Sequence, residues 1–216
     1  MIEHEPAIGE KYDASAEKYW IIGESHYLED VAHNGPTLTK DVLKLYRSGE
    51  HWQPFFASIE FAFDEGPTVW DHSLFFNYIP RPITAEASET TVSKGQVRGL
   101  RPTHPINLEA RRRFDKLLQT YTPTKIFVFS HLAWKNLPES EEDRSGEPYK
   151  LIDGTGATPA ARSRFEWCTL ADTGQRIRKY GLQHPRPYDQ ETVHALKAAI
   201  NIVKAGKESD IPAWQA

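Results

Sequence analysis

With 216 residues the chain is long enough for one substantial hydrophobic core and too short for two ordinary domains, and 39% hydrophobic with 12% aromatic residues excludes a disordered chain. One cysteine, Cys168, excludes an intrachain disulfide, a thiolate zinc knuckle and a four-cysteine iron–sulfur cluster, and a formal charge of −4 argues against a general nucleic-acid coating protein. No apolar run reaches the length of a bilayer span and the N-terminus is acidic without an apolar signal core, so the expectation is a cytoplasmic monomer that does not enter a membrane, a single domain over residues 1–216 with its core from about 18 to 205 and flexible tails at both ends.

In chain order, "YWII" (19–22) reads as a strand buried on both faces, as in a parallel sheet. Helical patterns follow at 37–49 and 52–63, then a second buried strand, "SLFFN" (73–77). A long stretch of Gly, Pro, Ser, Thr and charge over about 84–104 reads as a functional loop. The helix at 107–121 has the clearest period: Ala110, Phe114, Leu117, Leu118 and Tyr121 share one face and Arg111, Arg112 and Arg113 spread over the other, with Asn107 as cap and Pro123 as stop. "KIFVFS" (125–130) is a third buried strand, and a second long loop spans about 138–163. Residues 164–170 and 176–183 flank the turn "ADTGQ" as a hairpin, in which Cys168 is read as a small buried hydrophobe. Asp189 caps a last helix that turns Val193, Leu196, Ile200 and Val203 to the core. Strands alternating with helices define an α/β fold, whose ligands bind outside the carboxyl ends of the strands.

Three segments fall at that place: "GESHY" after the first strand, "NYIPRP" after the second and "QHPRPY" after the last. Each alone has a plain reading, Gly23 as a tight turn, Asn77 as a strand-end tie, His184 as a bonded structural histidine; their coincidence carries more information. Charge is uneven as well. Residues 1–30 hold eight Asp or Glu against two Lys, whereas 161–186 carries a net +4, which suits a phosphate partner, although a solvated face is the commoner meaning.

These residues resemble the uracil-DNA glycosylase superfamily. In that family a first strand ends in a Gly-led motif of the form GQDPY or GEAPG, a later strand ends in Asn, and an HPSP-like motif lies near the C-terminus. Here stand Gly23-Glu24-Ser25-His26-Tyr27, Leu74-Phe75-Phe76-Asn77 and His184-Pro185-Arg186-Pro187-Tyr188, with "PTKIFVFSHLAWKNLP" (123–138) similar to the third core strand and the helix after it. The resemblance covers about 18–205. It implies a three-layer α/β/α fold around a central, mainly parallel sheet of about four strands, and hydrolysis of the N-glycosidic bond of a flipped or single-stranded damaged base in DNA, with water as nucleophile and no cofactor. Asn77 would read the base through its amide, and His184 would donate to the base oxygen that becomes negative. Tyr27 would close the pocket, Tyr188 would wedge into the duplex on a loop stiffened by Pro185 and Pro187, and backbone amides around Glu24 and Ser25 would touch base or phosphate.

This chain departs from the pattern at three motif positions. Ser25 stands where the most active members have the Asp that orients water, leaving Ser25 or Glu24 to position it; His26 replaces a Pro, and Arg186 replaces a Ser and is placed to bind a phosphate. Gly-x-Ser after an N-terminal strand with a C-terminal His-Pro also resembles the SGNH or GDSL-type esterases, with Ser25 as nucleophile, His184 as base and Asn77 as oxyanion donor. That family's acid lies three residues before the His, where this chain has Gly181. His26, Asp30 and His33 share a helical spacing, but no metal is expected of them. The third alternative is a catalytically silent domain of the same fold that binds a nucleotide, a modified base or a nucleic-acid end.

Overall fold

The computed structural model describes residues 4–28, 34–88, 90–101, 103–137, 151–153, 162–169, 176–182, 184–185 and 190–206, with the backbone alone over parts of the last strands. In order they form β1 (Ala7–Ile8), β2 (Tyr19–Gly23), α1 (Leu38–Arg47), α2 (Pro54–Phe63), a 3-10 turn (Gly66–Asp71), β3 (Ser73–Asn77), β4 (Ile83–Thr84), β5 (Val92–Ser93), α3 (Lys94–Arg98) and α4 (Pro105–Thr120). They continue with β6 (Lys125–Val128), α5 (His131–Asn136), β7 (Leu151–Asp153), β8 (Arg162–Thr169), β9 (Arg176–Gly181) and α6 (Gln190–Lys204).

The architecture is α/β with a mixed sheet in the order β1-β3-β2-β6-β9-β8-β7. Its four inner strands, β3, β2, β6 and β9, are parallel to one another, while β1 adds antiparallel to β3 and the β8–β7 arm antiparallel to β9. Seven strands therefore replace the expected four or so. The two outermost, β1 and β7, are two and three residues long, too short for alternating hydrophobicity to mark them.

The inner strands read as unbroken apolar runs because both of their faces are covered. Trp20, Ile22, Leu74, Phe76, Ile126 and Val128 pack with Ala110, Phe114 and Leu117 of α4 and Trp134 of α5. The alternate residues, Tyr19, Ile21, Phe75 and Phe127, pack with Phe56 and Phe63 of α2 and Leu196, Ile200 and Val203 of α6. The expected core residues of α6, Val193 included, are all buried; Asp189 lies outside the described residues.

Two details of α4 depart from expectation. The helix begins earlier, with Pro105 in its first turn and the His104 ring accepting from the Ile106 N–H, so Asn107 is not the cap. Asn107 is instead fully buried, accepting from the Tyr78 hydroxyl at 2.5 Å and donating to Asn136 Oδ1 at 3.0 Å. Arg113 does not join the solvent face: it is 5% exposed, stacks over Phe76, and donates to the carbonyls of Asn77 and His4. Those two carbonyls need buried donors, and a guanidinium long enough to reach both supplies them. The stretch 84–104 holds the small parallel pair β4–β5 and α3, whose start is a capping box between Ser93 and Gln96.

Candidate functional site

A cavity of about 970 Å3 opens at the carboxyl ends of the parallel strands. The chain leaves β2 for β3 on one side and returns to β6 on the other. The connections diverge there, and α/β sheets bind ligands at such a point. Seven expected residues, Gly23, Glu24, Ser25, His26, Tyr27, Asn77 and His184, line this one cavity. Arg186 and Tyr188, like Pro187, lie outside the described residues.

Gly23 and Asn77 are register partners at the ends of β2 and β3. A Cβ on Gly23 would sit 2.3 Å from Asn77 Oδ1, so the glycine is required by the close approach of that amide. Asn77 is 7% exposed and its carbonyl is held by Arg113 at 2.8 Å. Its side-chain amide has no hydrogen-bond partner among the described residues. The residue is buried as a whole, but its amide atoms are not among the sealed unpartnered ones and open onto the cavity, where a ligand or water can meet them.

The motif loop is tied down around it. The Tyr78 and Ile79 N–H groups donate to the carbonyls of Gly23 and Glu24 at 3.0 and 2.9 Å. Ser25 donates its hydroxyl to the Arg81 carbonyl at 2.8 Å, with the His26 carbonyl at 3.2 Å, which makes it a loop tie. The Glu24 carboxylate accepts from Ser130 at 2.9 Å on one oxygen and from the Tyr27 hydroxyl at 3.2 Å on the other. Ser130 caps α5 by accepting the Ala133 N–H at 3.1 Å, so its single proton is directed at Glu24 and the carboxylate is held in one orientation.

His26 bonds Thr39 at 2.9 Å and meets the His4 ring edge-on. Burial, with His4 and Arg113 nearby, lowers its pKa to about 3, so it lines the cavity as a neutral ring. Tyr27 stands at the rim, 60% exposed, with the Lys94 ammonium 5.7 Å from its ring centre; burial and the Glu24 carboxylate raise its phenol above the ordinary value. His184 is exposed and its ring centre lies 5.3 Å from that of Phe55.

Other lining residues went unrecognised in the sequence: Ser130 and His131, Phe55 and Phe75, and Asp41 of α1. Ser130 and His131 directly follow the third strand, so the positional rule that found Gly23 and Asn77 also reaches them. Phe55 and Phe75 carry no such signal, because an apolar residue in a helix or buried strand reads as core. The basic segment is not a uniformly solvated face: Lys179 is 1% exposed and lies 5.3 Å from the Trp134 ring centre. Among the described residues no group of three His, Cys, Asp or Glu is placed to hold a metal, and no helix is long and apolar enough to cross a membrane. Asp30 and His33 lie outside those residues, as does the side chain of Cys168.

The fold and site thus define an α/β protein whose cavity, at the carboxyl ends of its parallel strands, presents the amide of Asn77 and the oriented carboxylate of Glu24. Compared with protein-family models and with curated proteins, the chain matches none.

Proposed function

We propose that the protein takes a flipped or single-stranded base of DNA into this cavity and hydrolyses its N-glycosidic bond, as a uracil-DNA-glycosylase-like hydrolase. The observation that carries this reading is the Asn77 amide, set in the cavity wall and open to it with its donor and acceptor unused among the described residues, a match for one edge of a heterocycle. Phe55 and Phe75 offer flat neighbours for the ring. As the bond between C1′ and the base nitrogen breaks, its electron pair goes to the base, and His184 donates to the base oxygen that gains charge. Water bonds to C1′ and loses its proton towards Glu24, which Ser130 and Tyr27 hold in place. Lys94 and Arg98 of α3, both exposed beyond Tyr27, are positioned for the phosphates outside the cavity.

The acyl-hydrolase alternative needs the Ser25 hydroxyl to pass its proton to an imidazole; that proton goes to a backbone carbonyl instead. Single-turnover incubation with oligonucleotides carrying uracil, hypoxanthine, xanthine or an alkylated base, single- and double-stranded, tests the reading beside a p-nitrophenyl ester. Base loss that disappears in Asn77→Ala and His184→Ala supports it. Ester turnover lost in Ser25→Ala, or salt-sensitive binding with no bond broken, overturns it in favour of the hydrolase or the silent binder.

A further inference from the structure

The charge of the cavity wall is one-sided. Two carboxylates, Glu24 and Asp41, line it, and no Lys or Arg does among the described residues. Four aromatic side chains, Tyr27, Phe55, Phe56 and Phe75, line it too, and the titratable groups besides these and the carboxylates are histidines, His51, His131 and His184 with His26, which carry no charge above the ordinary imidazole range. The nearest buried guanidinium, that of Arg113, lies behind Asn77 with its N–H groups on backbone carbonyls. His26 is a neutral ring. Negative carboxylates and the electron-rich faces of aromatic rings both favour a cation, and a half-enclosed cavity strengthens each effect relative to water.

From this, and resting on the base-binding reading above, we infer that the preferred ligand is a base with a fixed positive charge, that is, an N-alkylated purine. Asn77, 7% exposed as a residue, with its amide open to the cavity and without a partner among the described residues, supplies the directional contact, while the carboxylates and rings supply the preference for charge. The chemistry agrees with the departure at Ser25. A cationic base is already a good leaving group: when its bond to C1′ breaks, the electron pair cancels the ring's charge and the base departs neutral. Water then adds to C1′ and releases its proton to Glu24 or to solvent. Such a substrate asks less of the enzyme than a neutral base, which must leave as an anion and draws on the His184 contact to its oxygen, so a hydroxyl can occupy the position of the Asp in the uracil-DNA glycosylase pattern.

Calorimetric titration of the full chain with three nucleosides, above the ordinary imidazole range of pH, tests this. The probes are 1-methyladenosine, which is a cation just above the ordinary imidazole value and below the mildly alkaline pH at which its exocyclic nitrogen loses a proton, and which keeps one edge free for an amide, adenosine, and the neutral isomer of the first that is methylated on the exocyclic amine. The cation is expected to bind about tenfold more tightly than either neutral probe. That advantage should shrink in Asp41→Asn and in Glu24→Gln, with all three affinities lowered together in Asn77→Ala. Equal binding of the three probes, with Asn77→Ala still weakening them, overturns the charge preference and leaves base binding standing. A charge preference that survives the combined Glu24→Gln and Asp41→Asn variant also overturns it. Tetramethylammonium binding as tightly as 1-methyladenosine, untouched by Asn77→Ala, makes the cavity a general cation site and overturns both readings, as does binding of none of the probes.

Discussion

At the scale of single residues, the site depends on how closely two strands approach. Gly23 has no room for a methyl group, because the Asn77 amide occupies that space. Gly23→Ala is therefore expected to leave the fold intact, since what must move is a side-chain end, and to weaken base binding about tenfold or more by displacing the amide. Titration with a nucleoside, beside a melting curve as control, measures this; wild-type affinity would show that Asn77 does not make the contact. Arg113 acts one layer below. Arg113→Met leaves the carbonyls of Asn77 and His4 without that donor, and should destabilise the protein by about 3 kcal/mol in urea denaturation. A change near zero would mean that water replaces the guanidinium there. Asn77 and Gly23 were legible in the sequence as the ends of apolar runs. Arg113 was not: three consecutive arginines on a helix read as a solvent face, and only the tertiary fold shows that one of them reaches two buried carbonyls.

At the scale of elements, continuous burial is what made β2, β3 and β6 visible. Each is four or five residues of nearly uninterrupted apolar character, ending where the chain meets the cavity. The same physics hid the rest. β1 gains its place by pairing with β3, a long-range contact that leaves no local periodicity. The start of α4 was misread because Asn is a strong cap by propensity, whereas here Pro105 and the His104 ring set the boundary and Asn107 satisfies a buried network. The junction of β9 and α5 gives a prediction at this scale. A Cβ on Gly181 would lie 2.6 Å from the Trp134 ring, so Gly181→Ala should lower stability by about 1–3 kcal/mol. Equilibrium denaturation that finds no loss would show that the indole shifts freely.

At the scale of the molecule, two histidines, the buried His4 and the half-buried His26, link folding to pH. His26 has a pKa of about 3 in the fold against an ordinary 6.5, and burial lowers His4 in the same direction. The unfolded chain therefore takes up protons first as the solution is acidified. This contribution to stability is complete above the ordinary value and is lost as pH falls from there towards about 3. Denaturation across that window should show stability declining on acidification, with a shallower slope in His26→Gln; an unchanged slope would place the linkage elsewhere. His26 lines the cavity and His4 packs edge-on against it, so the decline should reach ligand affinity as well as folding.

Of the site's residues, those fixed by position at strand ends were open to sequence reasoning, and those fixed by shape, such as Phe55 and Phe75, emerged only when α2 was laid against β3. The amide of Asn77 joins both groups, and its side-chain nitrogen-15 resonances, identified by their loss in Asn77→Ala, can be followed while a nucleoside or a short oligonucleotide is titrated in. A saturable shift of those resonances at the ligand's own binding constant is the predicted result. Resonances that stay in place while the ligand binds elsewhere on the protein would contradict the base-reading role at its root.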